Sequence, residues 1–132
     1  MVDASLLAAA LADDGEFGDR ARGRLDGELA AAPELIYMET ANVLRKGLLR
    51  GLLSKDRADV ALADLLLLRL ETVSHRELLP RVWELRHNVS TYDAAYVAVA
   101  EGRGLTLVTS DTRLAQADGP TCEIELLPVT PR

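Results

Sequence analysis

Residues 91–111 carry the sequence TYDAAYVAVAEGRGLTLVTSD, and this stretch decides the fold of the chain. Residues 94–100 are apolar or aromatic without exception, so a helix here is apolar nearly all round and is expected to be buried. Gly102 and Gly104 predict the end of that helix. Residues 105–109 then read LTLVT, which is the clearest strand of the sequence.

The rest of the chain alternates between helix and strand in the same way. The predicted helices cover residues 5–11, 17–27, 33–47 or 33–51, 54–70, 77–86, 93–100 and 112–116, and the predicted strands cover residues 1–4, 29–32, 72–73, 105–109 and 124–128. Ser5 and Ser54 are the expected N-caps of two helices, and Pro33 and Pro80 are expected in the first turns of two others. The alternation predicts an α/β fold with a mainly parallel sheet, and the length predicts a single domain over residues 1–132.

Composition excludes several classes of protein. The single cysteine, Cys122, excludes an intramolecular disulfide and a cysteine-based zinc site. A net charge of -6 argues against a general nucleic-acid coat protein, although carboxylates loaded with metal are compatible with a nuclease. No apolar run approaches the length of a membrane span, so a cytoplasmic protein without a membrane partner is expected.

Four acidic residues stand where a parallel sheet would gather carboxylates at one edge: Asp3, Glu39, Asp93 and Asp111. Ligands of such sheets bind beyond the C-terminal ends of the strands. Carboxylates without neighbouring cations need a neutralising ion, and hard divalent cations such as Mg²⁺ or Mn²⁺ are the usual choice. The pattern therefore predicts a metal-dependent phosphodiesterase in which these four acids are the catalytic and metal-binding residues.

Each acid also has a purely structural interpretation. Asp3 and Asp111 could be helix N-caps, and Asp93 could be the acid of a capping box that begins at Ser90. Glu39 is harder to explain in this way, because it lies on an apolar stripe of its helix, where an unpaired charge is costly. The same cost applies to Asp93, whose helix is apolar nearly all round. Glu39 and Asp93, together with Asp3 and Asp111 at strand ends, therefore favour one common site.

The same segments resemble a PIN domain and, within that family, a VapC-type toxin ribonuclease. The motifs that carry the resemblance are Val2-Asp3-Ala4-Ser5, Pro33 with MET-ANVLRK over residues 38–46, WELRHN over residues 83–88, YDAAYVA over residues 92–98 and LVTSDTRL over residues 107–114. Each motif is weakly specific alone, but their order and spacing match over essentially the whole chain. One departure is that only Met1 and Val2 precede Asp3, so the first strand is very short. Two explanations stay open: Asp3 is less firmly held than in the family, or the true start codon lies upstream.

The resemblance implies a three-layer α/β/α fold and a Mg²⁺- or Mn²⁺-dependent endoribonuclease that cuts tRNA or rRNA as the toxin of a type II toxin–antitoxin module. It also implies a homodimer and a cognate VapB-type antitoxin that blocks the site. The acidic positions of the family fall on Asp3, Glu39, Asp93 and Asp111, and the supporting polar positions fall on Ser5, Asn42 and Thr109. Arg45, Lys46 and Arg113 lie near acidic positions in the sequence and are expected RNA contacts, with surface ion pairing as the equally supported alternative.

Two other functions remain open on the sequence alone. A PIN-like module could bind RNA or an antitoxin without cutting. A phospho-accepting signalling domain also gathers acids around Mg²⁺, but it needs a lysine after its late strand, and the only lysines here are Lys46 and Lys55.

Overall fold

The computed structural model describes residues 1–25 and 31–129. The helices are α1 (Ala4–Ala12), α2 (Glu16–Leu25), α3 (Leu35–Leu49), α4 (Lys55–Leu67), α5 (His75–Glu84), α6 (Thr91–Arg103) and α7 (Thr112–Ala115). The strands are β1 (Ala31–Pro33), β2 (Glu71–Val73), β3 (Leu107–Thr109) and β4 (Ile124–Leu126). Parts of the predicted elements at 17–27 and 29–32 lie outside the described residues.

The strand pairs among the described residues are parallel, which agrees with the predicted mainly parallel arrangement. β1 pairs with β2, β3 pairs with β4, and Val2 forms a bridge to Val108 in β3. The amide of Val108 donates to the carbonyl of Met1 at 2.8 Å, and the amide of Asp3 donates to the carbonyl of Val108 at 3.2 Å. These bonds hold the short first extended segment beside β3 and place Asp3 at the C-terminal end of both. The arrangement confirms the expected three-layer α/β/α architecture.

Helix α6 is the central helix of the core. Residues 94–100 are all buried, and the helix contacts both β1 and β3. It ends at Gly104, whose φ of 63° is left-handed and favours glycine at this C-cap. The predicted burial of this helix is therefore confirmed from Ala94 onward, and Asp93 is half-buried at the boundary between the exposed first residues and the buried part of the helix.

Three predicted helix starts were wrong. Asp3, not Ser5, is the N-cap of α1, since its Oδ1 accepts from the amide of Leu6 at 3.1 Å. Pro33 is the last residue of β1 and does not begin α3. The amide of the next residue, Glu34, donates to the carbonyl of Val73 in β2 at 3.2 Å.

The third concerns α5. Ser74 caps this helix, so Pro80 is its sixth residue and lies beyond the first turn. A proline there removes one backbone hydrogen bond of the helix, a cost that the packing of buried Leu78 and Val82 opposes.

Ser54 caps α4 as predicted, accepting from the amide of Arg57 at 3.1 Å. None of the described helices is both long and apolar enough to cross a membrane.

Candidate active site

Three of the four predicted acids line one cavity of about 200 Å³, called here the acidic pocket. Asp3 reaches it from the start of α1, Glu39 from α3 and Asp93 from the first turn of α6. The other lining residues are Ala4, Ser5, Asn42, Val43, Lys46 and Tyr96. Segments that are far apart in the sequence thus meet in one cavity.

Asp3 is held by two hydrogen bonds. Its Oδ1 accepts from the amide of Leu6 at 3.1 Å, and its Oδ2 accepts from the hydroxyl of Thr109 at 2.6 Å. Burial raises the pKa of this carboxyl above its ordinary value of 3.8, and the nearby charges of Asp93 and Glu39 raise it further, whereas the two hydrogen bonds lower it. The carboxylate is therefore firmly positioned while its negative charge is poorly compensated.

Glu39 is half-buried, and its Oε1 accepts from the hydroxyl of Tyr96 at 2.7 Å. The Tyr96 side chain is almost completely buried, with 1% of its surface exposed. Burial raises the pKa of this phenol, and its hydrogen bond to Glu39 and the negative charges of the pocket add to the rise. The phenol therefore keeps its proton and remains a hydrogen-bond donor throughout the neutral range.

Asp93 occupies the first turn of α6. Its amide donates to the Ser90 hydroxyl at 3.2 Å, which is one half of the predicted capping box. Burial raises the pKa of the Asp93 carboxyl, and the charge of Asp111 raises it further. The interaction of the carboxyl with the Ser90 side chain and the charge of Arg113 lower this pKa.

Asp111 lines a neighbouring cavity of about 230 Å³ and not the acidic pocket itself. Asp93 and Arg113 line that second cavity as well. The Asp111 carboxylate also caps α7, since Oδ1 accepts from the amide of Arg113 at 2.9 Å. Asp93 is thus common to both cavities and connects Asp111 to the other acids.

The supporting and basic residues lie in four places, one of which is the cavity that Arg113 lines with Asp111. Ser5, Asn42 and Lys46 line the acidic pocket. Thr109 is fully buried beneath it and bridges two acids, because its hydroxyl donates to Asp3 and accepts from the Asp111 amide at 3.0 Å. Arg45 lies elsewhere, beside a cavity between α3 and α4.

The donor set consists of carboxylate, hydroxyl and amide oxygens, which suits a hard divalent cation. Among residues 1–25 and 31–129, none of the ion pairs involves Asp3, Glu39, Asp93 or Asp111. Within the same ranges, no three His, Cys, Asp or Glu side chains are arranged to hold an ion as they stand. Carboxylates without a bound cation repel one another, which favours larger distances between them. Mg²⁺ commonly keeps several of its waters, so its protein ligands need not all contact it directly.

Sequence reasoning missed Tyr96. The signal was present, because Tyr96 is the only residue with a polar group among the buried positions 94–100, and it follows Asp93 by three residues. Residues three apart lie on the same face of a helix. Its hydroxyl therefore had to meet a partner on the side where Asp93 lies.

A larger groove of about 670 Å³ adjoins the acidic pocket and shares Ser5 and Val43 with it. Its walls come from α1, α2, α3 and the start of α4. Phe17, Leu44 and Leu52 contribute apolar surface, and Leu52 is 81% exposed. A segment lying in this groove would have its end beside Glu39 and Asp93.

The comparisons with known proteins agree with this geometry. A family profile described as "PIN domain" matches residues 1–120. The chain is 39% identical over 128 residues to Ribonuclease VapC1 of Mycobacterium tuberculosis (strain ATCC 25618 / H37Rv), covering 96% of each chain. It is 37% identical to Ribonuclease VapC9 of the same strain, covering 97% of this chain and 98% of the relative.

A solved structure has the same fold. The crystal structure of PAE2754 from Pyrobaculum aerophilum matches with a TM-score of 0.58 and 28% identity, covering 87% of this chain and 82% of that one. The family profile spans most of the sequence, and the VapC ribonucleases match nearly from end to end. The chain therefore belongs to the PIN domain family and, within it, to the VapC-type toxin ribonucleases.

Proposed function

We propose that this protein is an endoribonuclease that hydrolyses RNA phosphodiester bonds and depends on Mg²⁺ or Mn²⁺. The observation that carries the proposal is the acidic pocket, where Asp3, Glu39 and Asp93 meet without an ion pair among the described residues. The VapC relatives, which are named ribonucleases, support the reaction class. Repulsion between these carboxylates destabilises the metal-free protein, and a bound cation would relieve it.

Asp3, Glu39 and Asp93 are the residues that would hold the metal, directly or through water, and Asp111 lies in the neighbouring cavity that Asp93 also lines. When bound, a divalent ion lowers the pKa of a coordinated water and neutralises charge on the phosphate. The protein positions these ligands: Thr109 orients Asp3 and ties it to the backbone at Asp111. Mutation of a residue that hydrogen-bonds a metal ligand in this way commonly lowers metal affinity or activity by about 10–100-fold.

The basic residues bind the substrate in this proposal. Lys46 lines the acidic pocket, and Arg113 lines the adjoining cavity with Asp93 and Asp111. Both side chains are exposed and can reach phosphate oxygens of a bound strand. Ser5 and Asn42 supply neutral polar groups at the pocket rim, where they can orient water or a sugar hydroxyl.

The partners follow from the family and from the large groove. We propose tRNA or rRNA as the substrate class, a homodimer as the assembly and a VapB-type antitoxin as the regulator. The groove supports the antitoxin because it is large, at about 670 Å³, and partly apolar, and it shares Ser5 and Val43 with the acidic pocket. A peptide lying there could place a basic side chain among the carboxylates and block the site.

The deciding experiment is incubation of the pure protein with total RNA in Mg²⁺ or Mn²⁺, with EDTA and the D93N variant as comparisons. We expect discrete cuts that need the metal and fall by at least about 100-fold in D93N, the size of effect typical for loss of a group acting on the attacking water. D64N is the matched control, because Asp64 is an exposed acid of α4 away from both cavities. Metal binding without cleavage of any RNA would favour a non-cutting binding module.

A further inference from the structure

The hydroxyl of Tyr96 joins two helices that carry different acids of the pocket. It donates to Oε1 of Glu39 at 2.7 Å, between residues 57 positions apart in the sequence. Tyr96 lies on α6, three residues after Asp93, and Glu39 lies on α3. The bond therefore fixes the Glu39 carboxylate relative to α6, the helix that carries Asp93.

The core does not need this hydroxyl for packing. The other residues at buried positions 94–100 are alanine and valine, so a phenyl ring would fill the same volume without adding a polar group. Among the described residues, Glu39 makes no other hydrogen bond and no ion pair. Its side chain has several rotatable bonds and lies near two other negative charges. Without a donor, repulsion and conformational entropy both favour its turning away into water.

We propose that Tyr96 is a positioning residue that holds the Glu39 carboxylate in the pocket for a divalent cation. The inference rests on the proposed function, since it assumes that the pocket binds such an ion. Tyr96 acts through Glu39 and does not itself touch the substrate. Loss of one orienting hydrogen bond of a metal ligand typically weakens binding by about 10–100-fold.

The test compares two tyrosines of the same helix. Y96F removes the buried hydroxyl, and Y92F removes the hydroxyl of Tyr92, which is 62% exposed and makes no hydrogen bond among the described residues. The dissociation constant for Mn²⁺ alone is measured by titration calorimetry, without RNA, and melting in EDTA reports folding. We expect about a 10–100-fold weaker Mn²⁺ affinity in Y96F, less than a twofold change in Y92F and cooperative melting of both.

A double-mutant cycle separates positioning from a general structural effect. In an E39Q background, Y96F should change Mn²⁺ affinity by less than twofold, because the charged ligand that Tyr96 holds is already gone. An equal loss in both backgrounds, unchanged affinity in Y96F, or failure of Y96F but not of Y92F to fold in EDTA would overturn the inference. If the parent protein bound no Mn²⁺, the metal dependence itself would be wrong, which is a result distinguishable from parent-like binding by Y96F.

Discussion

The hydroxyl of Thr109 donates to Oδ2 of Asp3 at 2.6 Å, which joins the end of β3 to the first turn of the chain. The same oxygen accepts from the amide of Asp111 at 3.0 Å. One buried hydroxyl thus connects an acid of the acidic pocket with the backbone of the acid beside it. The bond to Asp3 is charge-assisted, and its donor Thr109 is fully buried, where such bonds are stronger than in water.

We expect T109V to lower the free energy of unfolding by about 1–3 kcal/mol, because valine keeps the volume but leaves Oδ2 of Asp3 and the amide of Asp111 without the hydrogen bonds that Thr109 makes. Urea denaturation in EDTA measures this change. T106V is the control, since the Thr106 hydroxyl makes only a long 3.5 Å contact to Glu123. An equal loss in the two variants would contradict a special role for Thr109.

The stability of the metal-free protein should depend on pH through Asp3. The folded-state pKa of this carboxyl is raised above 3.8, so the folded protein binds its proton more tightly than the unfolded chain does. The contribution of Asp3 to stability is therefore greatest at low pH and falls as pH rises from about 3.8 through the raised pKa. D3N lacks this group, so the stability of D3N relative to the parent should increase over the same range.

Urea denaturation at a series of pH values in EDTA checks that expectation. The comparison uses the slope with pH, because the loss of carboxylate hydrogen bonds in D3N is a constant offset. D64N, which removes an exposed acid, should follow the parent closely. A D3N curve parallel to that of the parent would show that Asp3 does not titrate abnormally.

Divalent cations should stabilise the folded protein, because the proposed metal ligands come together only when the acidic pocket is assembled. At a Mn²⁺ concentration 100 times the dissociation constant, the free energy of unfolding should rise by about 2.7 kcal/mol, and EDTA should reverse the change. Thermal melting with and without Mn²⁺ measures it. D93N should lose most of this gain, whereas D111N should lose less, since Asp111 lines the neighbouring cavity.

Lys46 and Arg45 are adjacent in the sequence but should differ in their effect on RNA binding. Lys46 lines the acidic pocket, whereas Arg45 lines the cavity between α3 and α4. Measured in the D93N background to prevent cleavage, K46A should weaken binding of a single-stranded RNA. It should also reduce the slope of log affinity against log salt by about 0.7, the value for one phosphate contact.

R45A is the matched control in that experiment, because it removes the same charge one residue away. We expect its affinity and salt slope to stay close to those of D93N alone. If R45A and K46A had equal effects, binding would depend on the net charge of α3 and not on the acidic pocket.

The local features of the fold could be predicted from the sequence because they depend on neighbours in the chain. The apolar run at 94–100 predicted the buried helix α6, and Ser54 predicted a helix start that the structure confirms. The predicted contact between Ser90 and Asp93 is present, but α6 begins at Thr91 and not at Asp93. The predictions for Pro33 and Pro80 were wrong for a physical reason. A fixed φ is compatible with a strand end as well as a first helical turn, and tertiary packing tolerates a proline inside a helix.

The sequence by itself determined the order of the helices and strands, because helical and strand periodicity depend on residues close together in the chain. It also indicated Asp3, Glu39 and Asp93, which line the acidic pocket. Only the tertiary structure decided that Glu39 meets Tyr96, that Asp111 stands in a separate cavity and that Arg45 lies away from the acidic pocket. These relationships depend on how α3, α6 and β3 pack against one another. That packing is set by many weak contacts between distant residues, and no local pattern encodes it.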